Sequence, residues 1–213
     1  MTDPVRSLDA RYYIDPQVFE IERTGLLART WQFGCHRSEL VETGCYTIFE
    51  IAGESLFAIR GRDDKIRVFY NVCQHRAHQL VSGSGTTRVV VCPYHAWTYE
   101  LTGELRAGPN IKAVEGFDKS TVCLNEVRVE EFLGFVFVNL DPDAKPMEDW
   151  FPRARAELEE WVPNWADLKP LEWVEIPENC NWKVSVENYS KCYHCSLNHP
   201  TFASGVVKPE TYD

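Results

Sequence analysis

Two short cysteine–histidine pairs are the residues of this sequence best suited to binding metal. One residue separates Cys73 from His75, and two residues separate Cys92 from His95. Zinc fingers usually place their cysteines in one pair and their histidines in the other, whereas each pair here is mixed. That order suits a Rieske 2Fe–2S centre, in which two thiolates bind one iron and two imidazoles bind the other. A zinc site and a chance spacing are the alternatives.

His194 and His199 form a second pair of candidate metal ligands. We expect His194 at the end of a helix and His199 just past it, so that both imidazoles can reach one metal ion. A ferrous site that activates dioxygen uses two histidines and one carboxylate on one face and leaves the opposite face open. Two histidines five residues apart are more often structural, so the spacing alone is a weak signal.

Both pairs lie in segments that resemble the alpha (large) subunits of Rieske non-haem iron oxygenases, and the resemblance covers essentially the whole chain. The similar segments are Trp31-Gln-Phe, Ser38-Glu-Leu, Gly44-Cys-Tyr, Asn71-Val-Cys-Gln-His-Arg-Ala-His78, Cys92-Pro-Tyr-His-Ala-Trp97, Glu187-Asn-Tyr, Cys192-Tyr-His-Cys195 and His199-Pro200. The resemblance implies a 2Fe–2S Rieske cluster bound by Cys73, His75, Cys92 and His95. It also implies mononuclear Fe(II) bound by His194 and His199, with a carboxylate ligand beyond position 213.

Position 191 departs from the pattern of the family. Family members carry Asp or Glu there, and this acid hydrogen-bonds a histidine of the mononuclear site and a histidine of a neighbouring subunit's Rieske cluster. The sequence has Lys191, which offers only donors and a positive charge. Residues three apart share a helix face, so position 191 lies beside the first iron histidine. We hypothesise that Lys191, our candidate catalytic position, uncouples the two metal sites; a solvent-facing lysine is the alternative.

The resemblance implies a terminal oxygenase component that accepts electrons at the Rieske cluster and uses iron and O2 to hydroxylate a small organic substrate. The segment from Glu187 to Cys195 looks most like the branch that oxidises quaternary ammonium compounds, by N-demethylation or C–N cleavage. An aromatic-ring hydroxylating dioxygenase and an incomplete fragment that only carries the cluster are the alternatives. A simple Rieske electron carrier needs neither the N-terminal helix nor the second histidine pair. The implied partners are an NAD(P)H-dependent reductase or a ferredoxin, and family members form homotrimers.

Three regions are predicted to position these residues. Residues 1–34 form an N-terminal helical arm, in which Asp15 and Pro16 begin an amphipathic helix. Residues 35–142 contain short β-branched and aromatic runs between turn formers, typical of an antiparallel sandwich or barrel, and form the Rieske domain. Residues 143–213 begin an incomplete catalytic domain, with helices over 150–161 and 182–194 and a strand over 171–176. The predicted fold class is α+β: an antiparallel all-β Rieske domain, an iron–sulfur sandwich, followed by the start of an α+β domain.

Composition narrows the function classes further. The 213 residues carry 22 basic and 32 acidic side chains, a net charge of −10, which argues against non-specific nucleic-acid binding. No apolar run reaches the roughly 18 residues of a membrane span, and the first residues show no secretory signal. We therefore expect a cytoplasmic protein without membrane association. In that compartment the eight cysteines favour metal or redox chemistry over disulfides.

Overall fold

The computed structural model describes residues 7–190 and 194–205. The chain divides into two compact units, one formed by Ile21–Trp173 and the other by Met1–Glu20 together with Val174–Asp213. The described helices are α1 Arg11–Ile14, α2 Pro16–Gly25, α3 Met147–Trp150, α4 Ala154–Trp161, α5 Trp182–Ser190, α6 Cys195–Asn198 and α7 Pro200–Gly205. None of them is long and apolar enough to cross a membrane.

Two antiparallel sheets make up the larger unit. Their strands are β1 Gln32–His36, β2 Cys45–Ile51, β3 Glu54–Arg60, β4 Ile66–Tyr70, β5 Ser84–Thr86, β6 Val90–Val91, β7 Thr98–Tyr99, β8 Leu105–Ala107, β9 Glu126–Phe132 and β10 Phe135–Asn139. Seven strands form the large sheet in the order β1-β10-β9-β4-β3-β2-β5, and β6-β7-β8 form the small one. The antiparallel α+β character of the prediction is confirmed.

The large sheet is buried on both faces, which explains the apolar run in β3. Leu56 and Ala58 belong to a core cluster that includes Val136 from β10. Phe57 and Ile59, which point to the opposite face because side chains alternate along a strand, belong to a second cluster. The second cluster also contains Val90, Tyr99 and Leu105 of the small sheet, together with Cys73 and Cys92. The small sheet and its loops are therefore anchored on the large sheet through a shared core.

Three expectations about helices and strands need correction. Residues 171–176 form no strand, because a strand needs a pairing partner and none of the described strands pairs with this segment. The helix predicted over 150–161 is interrupted, since α3 ends at Trp150 and α4 begins at Ala154, with Pro152 between them. The N-terminal helix begins as predicted, with Asp15 Oδ1 accepting the N–H of Gln17 at 2.9 Å, but it ends at Gly25 and the chain then enters the sheet at β1.

Candidate metal centres

The first two candidate ligand pairs lie in two loops with the same backbone geometry. The N–H of Ala77 donates to the carbonyl of Cys73 at 2.9 Å, and the N–H of Ala96 donates to that of Cys92 at 3.0 Å. Both alanines adopt a left-handed conformation, with φ of 54° and 55°, and each loop closes with the cysteine N–H bonded to the carbonyl five residues on. Repeated loops of this kind present one cysteine and one histidine each to a shared site.

The loops bring the four predicted side chains together as two pairs, one of thiols and one of imidazoles. The thiols of Cys73 and Cys92 are buried and close enough to interact with each other. The imidazole rings of His75 and His95 lie 4.8 Å apart, with their planes at 72°. This separation allows both imidazoles to share one ion, because metal–nitrogen bonds are about 2 Å long. The arrangement thus places two thiols inside the protein and two imidazoles towards its surface.

Aromatic side chains fix the orientation of both imidazoles. Trp97 is stacked on His75, with ring centroids 4.7 Å apart and an interplanar angle of 10°. The ring of Tyr94 lies 3.7 Å from that of His95. Gly108 leaves room for Trp97, since a Cβ at position 108 would lie 2.8 Å from the indole Cδ1. The imidazoles are therefore held in place by packing against neighbouring aromatic rings.

Burial shifts the pKa values of two candidate ligands, upwards for Cys73 and downwards for His95. Burial raises the pKa of the Cys73 thiol, while hydrogen bonds from the Tyr99 hydroxyl and the backbone N–H of His75 act in the opposite direction. Desolvation lowers the pKa of His95, and the neighbouring His75 lowers it further, which favours the neutral imidazole that binds metal. Nδ1 of His95 is buried and has no hydrogen-bond partner among the described residues. A metal ion bound at this nitrogen would complete its bonding.

Across residues 7–190 and 194–205, no group of three or more His, Cys, Asp or Glu side chains is placed to hold one metal ion. A Rieske cluster needs two protein ligands for each iron, whereas a structural zinc site needs four around one ion.

The second histidine pair flanks a single helical turn. His194 directly precedes α6 and is half-buried, whereas His199 directly follows α6 and is exposed. Their rings lie 5.5 Å apart at 74°, and the N–H of His199 donates to the carbonyl of Cys195 at 2.8 Å. Two imidazoles in this arrangement can supply two of the three ligands of a ferrous site. Lys191 lies outside the described residues.

Two residues that support the ligand loops had no role assigned from the sequence. Asn71 is buried, and its amide bonds to Ser55, Leu80 and Val81, which closes the first ligand loop. Tyr99 is fully buried, and its hydroxyl contacts the first loop. The position of Asn71 directly before the first ligand loop could have indicated its supporting role. Nothing in the spacing of Tyr99 indicates that its hydroxyl contacts this loop.

Comparison with known proteins defines the class of this chain. Residues 30–118, which contain both ligand loops, match the Rieske [2Fe-2S] domain. Residues 165–212, which contain the second histidine pair, match the catalytic domain of the ring hydroxylating alpha subunit. The two matches show that the chain combines a Rieske domain with part of a ring hydroxylating alpha-subunit catalytic domain. These two domains imply a Rieske cluster and a mononuclear iron as cofactors.

The similar proteins include quaternary ammonium monooxygenases and an aromatic-ring dioxygenase. The carnitine monooxygenase oxygenase subunit of Escherichia coli (strain K12) is 43% identical over 201 residues, which cover 94% of this chain and 54% of the relative. The crystal structure of the quaternary ammonium Rieske monooxygenase CntA with L-carnitine is 42% identical, with a TM-score of 0.86 over 92% of this chain and 56% of that one. Naphthalene 1,2-dioxygenase with bound indole is 34% identical, with a TM-score of 0.76 over 90% and 44% of the two chains. The chain thus spans about half the length of the relatives it matches.

Proposed function

We propose that this chain is part of a terminal oxygenase component in which the two ligand loops hold a Rieske cluster and the second histidine pair contributes to a mononuclear iron site. The proposed ligands are Cys73, His75, Cys92 and His95 for the cluster and His194 and His199 for the iron. The observation that carries the proposal is the pair of equivalent loops, which bring two buried thiols and two imidazoles to one site. The unpartnered Nδ1 of His95 supports the same assignment.

The residues of this chain prepare the site for electron transfer. When bound, the cluster carries single electrons and the mononuclear iron activates dioxygen. Burial shields the sulfur side from water, whereas the exposed His75 places the imidazole side where an electron donor can approach. Trp97 and Tyr94 keep both imidazoles in a fixed orientation, which limits the rearrangement that accompanies a change of charge.

A quaternary ammonium compound is the proposed substrate class. The oxygenase subunit named for carnitine is 43% identical to this chain, and the structure solved with L-carnitine has the higher TM-score, 0.86 against 0.76 for naphthalene 1,2-dioxygenase. The proposed reaction is oxidation of a C–H bond next to nitrogen, which leads to N-demethylation or C–N cleavage. The similarity to an aromatic-ring dioxygenase is lower, so that reaction is the weaker candidate.

The proposal extends to partners and organisation. An NAD(P)H-dependent reductase or a ferredoxin supplies the electrons, the full-length subunit forms a homotrimer, and the protein acts in the cytoplasm. We assign residues 35–142 to the Rieske domain and residues 143–213 to the start of the catalytic domain. The family matches at 30–118 and 165–212 support this division.

Substrate-dependent oxygen consumption tests the proposed reaction. The full-length subunit, reduced anaerobically and then mixed with O2, is expected to consume oxygen and release an oxidised product with L-carnitine or glycine betaine. Naphthalene serves as the comparison substrate. Product formation with naphthalene and none with either quaternary ammonium compound would overturn the assigned substrate class while leaving the metal sites unaffected.

A further inference from the structure

A tyrosine of the first helix contacts the helix that precedes the second histidine pair. The hydroxyl of Tyr13, on α1, donates to Oε1 of Glu187, on α5, at 2.5 Å. Both residues belong to the smaller compact unit, although they are 174 positions apart in sequence. The contact therefore joins the N-terminal arm to the segment that leads to His194.

Lys183 brings the ring of the same tyrosine into the contact. Lys183 and Glu187 are four residues apart on α5 and share one face of the helix. Nζ of Lys183 lies 5.8 Å from the centroid of the Tyr13 ring and 5.1 Å from that of Trp182, within the range of cation–π attraction. Only 9% of the surface of Lys183 is exposed. Tyr13 thus contacts two residues of α5, one through its hydroxyl and one through the face of its ring.

The phenol is the donor in the bond to Glu187. An ionised carboxylate can only accept hydrogen bonds. The bond to Glu187 raises the pKa of Tyr13, so the hydroxyl keeps its proton. Because the acceptor is charged, this bond is stronger than one between two neutral groups. Removal of the hydroxyl would therefore weaken the attachment of α5 to α1.

Helix α5 depends on contacts of this kind because it is short and mostly exposed. It has nine residues, and a helix of this length is not stable in water by itself. Lys183 is its one buried residue, whereas Val184 and Tyr189 are exposed. The place where α5 is buried is thus the place where Tyr13 contacts it.

We propose that Tyr13 is a positioning residue for the mononuclear iron site, because it fixes the helix from which the chain reaches the iron ligands. This inference rests on the proposed function, which assigns His194 and His199 to the iron. Helix α5 ends at Ser190, four residues before His194, so movement of the helix shifts the start of the ligand segment. A ligand pair that must be ordered when the metal binds has a lower affinity than one already held in place.

The test is the dissociation constant of Fe(II) in the full-length subunit, measured by anaerobic equilibrium dialysis as iron bound in excess of the Rieske cluster. Tyr13 acts one step further from the metal than a direct partner of a ligand, whose loss typically costs tenfold or more, so we expect Tyr13→Phe to raise the dissociation constant about fivefold. The iron and sulfide of the cluster should not change, because both ligand loops lie in the larger unit. Equal dissociation constants for wild type and Tyr13→Phe would overturn the inference.

Two further comparisons separate positioning from a general loss of stability. The matched control is Tyr12→Phe, because Tyr12 is also on α1 but its hydroxyl accepts a bond from the adjacent Arg11; this variant should bind Fe(II) as wild type does. Glu187→Gln keeps an oxygen that can accept from Tyr13, so it should retain more affinity than Glu187→Ala. Equal weakening by Tyr12→Phe and Tyr13→Phe, or by both Glu187 variants, contradicts the inference.

The variant His194→Ala distinguishes failure of the inference from failure of the proposed function. If His194→Ala weakens Fe(II) binding and Tyr13→Phe does not, the iron site stands and the role of Tyr13 is wrong. If His194→Ala binds Fe(II) as wild type does, the proposed iron site itself is wrong, and the inference is overturned with it.

Discussion

Replacement of Asn71 by alanine should open the first ligand loop. The Asn71 amide donates to Val81 O at 2.9 Å and to Ser55 Oγ at 3.3 Å, and it accepts the N–H groups of Leu80 and Val81 at 3.1 and 3.0 Å. Three of these bonds join the two ends of the loop that carries Cys73, and the fourth connects Asn71 to Ser55 on β3. The side chain is buried, with 2% of its surface exposed, so water does not readily replace the lost partners.

The expected loss follows from the number of bonds. At about 1 kcal/mol for each net hydrogen bond, Asn71→Ala should lower the free energy of unfolding by roughly 4 kcal/mol. The matched control is Asn139→Ala, because Asn139 is also buried but makes two bonds, to Arg29 O and from the N–H of Asp141, away from the ligand loops. The same counting gives about 2 kcal/mol for the control.

Urea titration of both variants measures these losses as shifts of the midpoint at constant slope, and the iron and sulfide content of each variant is measured in parallel. We expect Asn71→Ala to lose more stability than the control and to bind less cluster, whereas Asn139→Ala retains a normal cluster content. If both variants lose the same stability and hold the same amount of cluster, the role assigned to Asn71 is wrong.

Three further predictions concern other residues. Hydrogen bonds from Arg67 lower the pKa of Asp63, so their stabilising effect is present above the unfolded-state pKa of about 3.9 and is lost at lower pH. The difference in unfolding free energy between wild type and Asp63→Asn should therefore shrink on acidification. A difference that stays constant with pH would contradict this prediction. In the full-length subunit, Lys191→Glu should increase oxygen-dependent turnover. The Lys191→Gln variant separates loss of the positive charge from gain of the acid. If turnover does not increase with glutamate, the hypothesis that Lys191 uncouples the two metal sites is refuted. Burial raises the pKa of Cys35 to about 12, so iodoacetamide should label Cys35 only after unfolding. The exposed Cys180 should be labelled in the folded protein. Peptide mass mapping of the labelled protein checks both outcomes.

The sequence predicts those strands whose own residues show a clear pattern. The runs that form β2, β3 and β4 are long and rich in β-branched or aromatic residues, so their periodicity was readable. In contrast, β5 is Ser-Gly-Thr and β8 is only three residues long. These segments are strands because neighbouring strands offer hydrogen bonds to them, and no property of the short segments themselves reveals that.

The candidate sites show the same division between local and long-range information. The spacing of the Cys73 and Cys92 pairs predicted which side chains converge, because each loop is a short local structure. The roles of Asn71 and Tyr99 depend on partners 10 and 25 residues away, which spacing does not encode. Cys123 is exposed, although cysteine is among the residue types most often buried, since its surroundings are set by the packing of distant segments.

Iron, acid-labile sulfide and zinc analysis of protein purified without oxygen tests the central claim most directly. The claim is that Cys73, His75, Cys92 and His95 together bind a Rieske cluster. We predict at least two irons and about two sulfides for each chain, with nitrogen couplings from two imidazoles in the electron paramagnetic resonance spectrum of the reduced protein. Zinc without sulfide would contradict the claim, as would a cluster without imidazole couplings.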